Sequence, residues 1–288
     1  MKERIPWPLK FSAKIVLGIL RIDYKLLKRA GIVEHGRMER ADFCRAVFDR
    51  HVDAPRYSCG APAHGGLLEL GPGDSIATGI LGLRAGFSTV TLIDAGPFAD
   101  LRRQALNGLF ASLGATPRID DDASPAQVLE LLRGMGIAYL TQGAASLREV
   151  VPGSLQHSFS NSVLQHVYRD ELPELIRLLG RAHAPDSYSS HSVNFTDHFS
   201  GGFVNRRLPD RVMESGIIKR ANLYTNRLTA AQFVQAFEAA GFAVVRLVVD
   251  FLGAEPATRV TYDDVPGFTA GIGSRVILRT TFLVRKQA

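Results

Sequence analysis

A glycine turn that follows a short apolar segment is the clearest chemical signal in this sequence. Residues 67–70 predict a buried strand, and Gly71, Pro72 and Gly73 come directly after it. Glycines at such a turn let the backbone approach a ligand closely. The helix predicted at residues 76–83 would present its N-terminus to a negatively charged group. Strand, turn and helix together are typical of the first unit of a doubly wound α/β sheet.

The residues around this turn predict a ligand that carries a ribose and a positive charge. Ile76 stands where a dinucleotide-binding fingerprint has its third glycine, which permits close packing around a pyrophosphate. Asp74 would repel a pyrophosphate but would suit an ammonium or sulfonium group. Asp94 ends the next predicted strand, residues 89–94, and is placed to accept hydrogen bonds from both ribose hydroxyls. This combination favours S-adenosylmethionine (SAM) over a dinucleotide.

Several segments resemble class I SAM-dependent methyltransferases of the bacterial type found among glycan-biosynthesis enzymes. Residues 69–73 look like the E-x-G-x-G signature, Asp94 matches the ribose-binding acid, and residues 160–167, 191–199 and 224–228 resemble later segments. The resemblance implies a Rossmann-like sheet with an antiparallel last strand. It implies SAM as cofactor and S-adenosylhomocysteine (SAH) as product. The implied cofactor-binding residues are Glu69, Gly71, Pro72, Gly73, Asp74, Ser75, Asp94, Ala95, Ser160 and Asn161.

Histidines in these later segments are the candidate bases. An alcohol that attacks a methyl group must lose its proton, and histidine is the most frequent acceptor of such a proton. His166 or His198 could fill this role, and Asp197 could orient His198, although neighbours in an extended chain point apart. The alternative is a structural histidine. That alternative is favoured for His157 and His191, which lie within predicted strands.

A magnesium-assisted reaction is the less favoured alternative. Asn161, Asp197 and His198 could together hold a Mg²⁺ that binds a sugar diol and lowers its pKa. Hard cations prefer more acidic oxygen than one carboxylate supplies. The sequence therefore predicts no metal ligands.

The basic character of the chain belongs to its N-terminal segment. The formal net charge is +6, and residues 1–50 contain 12 basic and 6 acidic side chains. Residues 9–31 predict a basic amphipathic helix, which could dock on the main domain, lie on an anionic membrane surface, cover the substrate or mediate a homodimer. Few aromatic residues interleave with the basic ones and no base-reading motif is present, which argues against nucleic acid.

The sequence predicts a helical extension at residues 1–57 and a methyltransferase domain at residues 67–288. Within the domain, residues 197–227 form an insertion after the fifth strand, where open α/β sheets bind ligands, and we expect a substrate lid there. Its basic residues could contact phosphate or lie in water. The remaining predicted helices are 38–50, 97–113, 171–179 and 229–240, and the remaining strands are 137–140, 187–195, 242–252 and 275–284.

The predicted function is transfer of a methyl group from SAM to a hydroxyl of a sugar or oligosaccharide. One alternative is a membrane-surface methyltransferase for a lipid-linked acceptor. Another is an inactive methyltransferase-like binding protein, suggested by Thr141 and Gln156 where the family has acids. No apolar run is long enough to span a bilayer, and Cys44 and Cys59 cannot form a disulfide framework. We therefore expect a reduced, cytoplasmic protein that could associate with a membrane.

Overall fold

A single mixed sheet organises the chain. The computed structural model describes residues 6–20, 38, 40–53, 55, 64–115, 119, 120, 122–197, 199–251, 259–262 and 277–288. Within these residues the strands are β1 Gly66–Leu70, β2 Thr89–Ile93, β3 Ile137–Leu140, β4 Leu155–Asn161, β5 His183–Asn194, β6 Phe242–Phe251, β7 Arg259–Tyr262 and β8 Ile277–Lys286.

The strand order is β3-β2-β1-β4-β5-β8-β6-β7. Strands β1 to β5 are parallel, whereas β8 pairs antiparallel with both β5 and β6. The doubly wound sheet with an antiparallel last strand is thus confirmed. The order reverses beside β1, so the ends of β1 and β4 lie at the switch point where such sheets bind ligands.

Helices flank the sheet and differ from the predicted ones mainly at their ends. They are α1 Trp7–Ile19, α2 Ala41–Phe48, α3 Ala77–Arg84, α4 Arg103–Ser112, α5 Pro125–Gly134, α6 Leu172–Ala182, α7 Asp210–Met213, α8 Gly216–Arg220 and α9 Ala230–Ala239. Helices α5, α7 and α8 and strand β7 were not predicted. A capping box of Ser124 and Gln127 begins α5, and the same device at Thr229 and Gln232 begins α9 as expected.

Apolar cores cover both faces of the sheet. All five residues of β1 are therefore buried. Leu68 belongs to one core, with Ile176 and Phe237 from α6 and α9. Its neighbour Leu67 points to the other face and packs in a second core with Val47 of α2. Residues 41–53 therefore share a core with the sheet. Helix α1, which also belongs to the predicted extension, packs in a different core.

Helix α1 packs on the segment that follows β5. The ring of Phe11 lies 5.0 Å from that of Phe199, and a Cβ on Gly18 would come 2.8 Å from Cα of Ala221 in α8. Residues 21–31, which were predicted to continue the helix, lie outside the described residues. Among the residues that are described, no helix is long and apolar enough to cross a membrane.

A buried network of histidine and serine side chains joins β4 and β5. Its ring-to-hydroxyl contacts are His51 Nδ1 to Ser190 at 2.9 Å, His183 Nε2 to Ser158 at 2.7 Å, His191 Nδ1 to Ser160 at 2.9 Å and His191 Nε2 to Ser189 at 2.6 Å. Burial lowers the pKa of His51 and of His183 to about 3, and it lowers the pKa of His191 well below its ordinary value. These rings are therefore neutral in the folded protein.

Candidate active site

The glycine turn leaves open space at the carboxyl end of β1. Gly71 and Gly73 have φ angles of +72° and +67°, in the left-handed region that favours glycine. A Cβ on Gly71 would overlap the side chain of Val163, which follows β4. A Cβ on Gly73 would meet no atom within 4 Å. The turn therefore closes against the chain on one side and faces an open volume on the other.

Asp94 ties this turn to the end of β2. Its carboxylate accepts hydrogen bonds from the Gly73 amide at 2.9 Å and from the Ala95 amide at 2.7 Å. Burial raises the pKa of Asp94, and both backbone amides oppose that rise by stabilising the charged form. The carboxylate is thus held in place beside the turn, where it retains lone pairs for a ligand.

Three buried acidic side chains surround the turn. Asp94 is joined by Glu69 and Asp74, which are 1% and 3% exposed. Burial raises the pKa of Glu69 to about 8, the Thr78 hydroxyl opposes the rise, and the charge of Asp94 adds to it. Glu69 Oε2 has no hydrogen-bond partner among the described residues. This concentration of acids disfavours a pyrophosphate and suits a ligand with a cationic group.

The other residues of the predicted cofactor set have structural contacts. Pro72 is buried within the turn. The Ser75 hydroxyl accepts a hydrogen bond from the Ala77 amide at 3.2 Å, where α3 begins. The Ser160 hydroxyl is bonded to His191 inside the buried network, and the Asn161 side chain contacts His51. The Ser160 hydroxyl is therefore less available to bind a ligand than the sequence pattern suggested.

His166 lies on a 3₁₀ turn, Leu164–His166, that follows β4. Its Nδ1 lies 2.9 Å from the carbonyl oxygen of Tyr224. Since a carbonyl can only accept, Nδ1 carries the proton and Nε2 of the neutral ring is the acceptor. The side-chain amide of Gln165 lies 3.4 Å from Nε2. The fold therefore gives His166 the tautomer that a general base needs.

Asp197 stabilises the loop that follows β5. Its carboxylate accepts hydrogen bonds from the amides of Phe199, Ser200 and Asn205 and from the Ser200 hydroxyl, at distances from 2.5 to 3.2 Å. These contacts favour a structural role over the orientation of a base. His198, the other candidate base, lies outside the described residues. No group of three His, Cys, Asp or Glu side chains that could hold a metal occurs in the described part of the chain.

The segment after β4 is held by residues far along the chain, a feature that sequence reasoning missed. The Asn226 side-chain amide donates to the carbonyls of Leu164 and Val167, at 2.8 and 3.2 Å. The Arg169 guanidinium donates to the Asn226 carbonyl at 2.9 Å, and the Arg169 amide donates to the Tyr224 hydroxyl at 3.0 Å. Residues 224–228 had stood out only through a family resemblance. The contacts show that they position the turn carrying His166.

Comparison with known proteins yields similarity of structure alone. No family model and no curated protein matches the chain. A SAM-dependent methyltransferase from Methanosarcina mazei matches with a TM-score of 0.45 and 14% identity, over 81% of this chain and 97% of that one. An S-adenosylmethionine-dependent methyltransferase from Mesorhizobium loti matches with 0.43 and 16%, over 81% and 96%.

Phosphoethanolamine N-methyltransferase 2 from Haemonchus contortus, solved with phosphomonomethylethanolamine and SAH, matches with a TM-score of 0.45 and 14% identity. The match covers 82% of this chain and 52% of that one. A shared fold at such identity does not specify a substrate.

Proposed function

We propose that this protein is a SAM-dependent O-methyltransferase that acts on a hydroxyl of a sugar or saccharide. The observation that carries the proposal is the glycine turn whose Gly73 amide is bonded to Asp94, beside an open volume at the carboxyl end of β1. This is the switch point of the sheet, where doubly wound folds bind nucleotide ligands. The acidic surroundings favour a cationic cofactor over a pyrophosphate.

The residues of the turn fit SAM as a ligand. Asp94 would accept hydrogen bonds from the ribose hydroxyls, and the Glu69 carboxyl would face the cationic part of the molecule. The open side of Gly73 allows the ligand to approach the backbone closely. Ile76 is fully buried in the core and closes the position where a dinucleotide fold has its third glycine. Bound SAM supplies an electrophilic methyl group on a sulfonium sulfur.

His166 is the proposed general base. Its Nδ1–H is anchored on the Tyr224 carbonyl, so that Nε2 can take the proton of an acceptor hydroxyl that displaces the Gln165 amide, which lies 3.4 Å away. A hydroxyl holds its proton tightly at neutral pH, which makes such a base necessary. The saccharide class of the acceptor is supported by the resemblance of residues 191–199 and 224–228 to methyltransferases found among glycan-biosynthesis enzymes.

His166→Ala is expected to lower turnover at least about 100-fold while leaving SAM affinity unchanged, since general bases contribute about 10²–10⁴-fold. Turnover is measured as SAH release across a panel of saccharides, and SAM affinity by calorimetry. His166→Gln is the matched variant, because it preserves volume and polarity but cannot take a proton. Full activity in the glutamine variant would contradict the assignment of the base. Lost SAM binding in either variant would show that His166 supports the cofactor site instead.

A lipid-linked acceptor at a membrane surface is the second candidate, favoured by the outer side of α1. Leu9, Val16 and Leu20 are 62%, 53% and 62% exposed and fall on one stripe, opposite the side that packs on Phe199 and Ala221. An apolar stripe on a basic helix suits an anionic bilayer. Wild-type protein should sediment with anionic vesicles, and Val16→Glu should not. Equal behaviour of the two would remove this candidate.

A further inference from the structure

A polar cleft lies beside the turn that carries His166. It encloses about 340 Å³ and is lined by Arg169, Arg206, Asp210, Arg227, Leu228 and Gln232. Three of these side chains are guanidinium groups, and one is a carboxylate. The lining itself therefore has a formal net charge of +2, which becomes +1 when Glu214, an ion-pair partner of Arg227 outside the lining, is included.

The acids near the cleft do not neutralise it. Asp210 pairs with Arg227 at 2.5 Å and lies 3.7 Å from Arg169, so one carboxylate is shared by two cations. Glu214, the other nearby acid, lies 3.8 Å from Arg227. Arg206 forms no ion pair with any described residue, and its guanidinium carbon lies 5.9 Å from the centre of the Phe203 ring.

Arg227 is built into the wall of the cleft. Its side chain is 7% exposed and its backbone φ is +57°, a conformation that non-glycine residues rarely adopt. One terminal nitrogen donates to the Leu208 carbonyl at 3.1 Å, but Nε is buried without a hydrogen-bond partner. The terminal nitrogens are held by Leu208 and Asp210, so Arg227 contributes a fixed positive charge to the wall of the cleft.

We propose that this cleft binds a phosphate-type dianion, carried by the acceptor molecule. Guanidinium groups present planar forks of N–H donors that match phosphate oxygens. The lining of the cleft contains three such groups and only one carboxylate. As a subsite for the acceptor, the proposal rests on the proposed function.

The cleft is placed to hold an acceptor near the proposed base. Arg169 follows His166 by three residues, and both are anchored on Tyr224, through its hydroxyl and its carbonyl. Three residues span at most about 11 Å between Cα atoms. A phosphorylated sugar bound through its phosphate in the cleft would thus lie beside the turn that carries His166.

Arg206→Gln tests the cleft, with Arg207→Gln as the matched control on the next residue, which does not line it. Affinities for inorganic phosphate, a hexose phosphate and the unphosphorylated hexose are measured by calorimetry at constant ionic strength. Wild type and the Arg207 variant should bind both phosphate compounds, and the Arg206 variant should bind them about 10-fold more weakly or worse. SAM affinity should be equal in all three proteins.

Absence of phosphate binding in the wild type, or equal weakening in both variants, would overturn the proposal. Binding of inorganic phosphate without any gain from the hexose phosphate would overturn the assignment to the acceptor. Loss of the proposed function alone gives a different pattern, in which the wild type binds the phosphate compounds but not SAM.

Discussion

Lowering the pH from 7 to 4 is expected to reduce the free energy of unfolding by several kcal/mol. The cause is the buried network, in which His51, His183 and His191 are neutral because burial lowers their pKa values. In the unfolded chain a histidine binds a proton below about pH 6.5, so below that pH the unfolded state binds more protons. The stabilising contribution of the neutral rings is therefore fully present above about pH 6.5 and is lost as the pH falls toward 3.

The magnitude follows from the three histidines together and from two opposing acids, Glu69 and Asp94, whose pKa values are raised by burial. His51 and His183, whose pKa values lie at about 3, each contribute a loss of about 3 kcal/mol between pH 7 and 4, and His191 acts in the same sense. Glu69, with its pKa raised to about 8, acts in the opposite sense, because its buried protonated form is stabilised as the pH falls. Protonation of Glu69 stabilises the folded state by about 3 kcal/mol over the same range. The net loss is comparable with the whole stability of an ordinary domain.

Urea unfolding at several pH values measures this effect. His191→Asn removes one buried titrating ring, so its free energy of unfolding should fall less steeply between pH 7 and 4 than that of the wild type. His64→Asn is the control, because His64 lies exposed outside the network. A wild type that keeps its stability at pH 4, or an unchanged pH dependence in the His191 variant, would contradict the account of the network.

Asp94→Asn is expected to weaken SAM binding about 100-fold, which corresponds to about 3 kcal/mol. The variant loses the charge that would receive the ribose hydroxyls, and hydrogen bonds to a charged group contribute about 1.5–3 kcal/mol each. It also brings an amide or a weaker acceptor against the Gly73 amide, which Asp94 now accepts at 2.9 Å. Calorimetric titration with SAM and SAH measures the loss.

Asp100→Asn is the matched control for this substitution. Asp100 follows the same edge of the sheet, but its carboxylate pairs with Arg102 at 2.6 Å. SAM affinity in that variant should equal that of the wild type. If both variants bound SAM equally well, Asp94 would have no role in recognition of the cofactor.

The sheet and the glycine turn could be predicted because their signals are local. Five buried residues in β1, glycines with positive φ and the capping box at Thr229 each follow from a few adjacent residues. Structural roles for His157 and His191 were also predicted. The ring of His191 lies in the network between β4 and β5, and Nε2 of His157 is bonded to the His51 carbonyl.

The contacts that complete the site depend on residues far apart in the chain. The anchoring of His166 and Arg169 on Tyr224 joins positions more than fifty residues apart, and no short pattern encodes it. Asp197 shows the converse difficulty. In the sequence, an acid next to a histidine suggests a catalytic pair. In the structure, the Asp197 carboxylate accepts hydrogen bonds from the amides of the next turn.

Calorimetric titration of the wild-type protein with SAM, SAH and NADH tests the central claim most directly. The geometry of the turn predicts micromolar binding of SAM and SAH, no binding of NADH, and loss of all binding in Gly71→Arg, whose side chain would collide with Val163. Binding of NADH in preference to SAM would contradict the assignment of the cofactor. If none of the three compounds bound, the result would contradict the proposed enzymatic function and favour a methyltransferase-like binding protein.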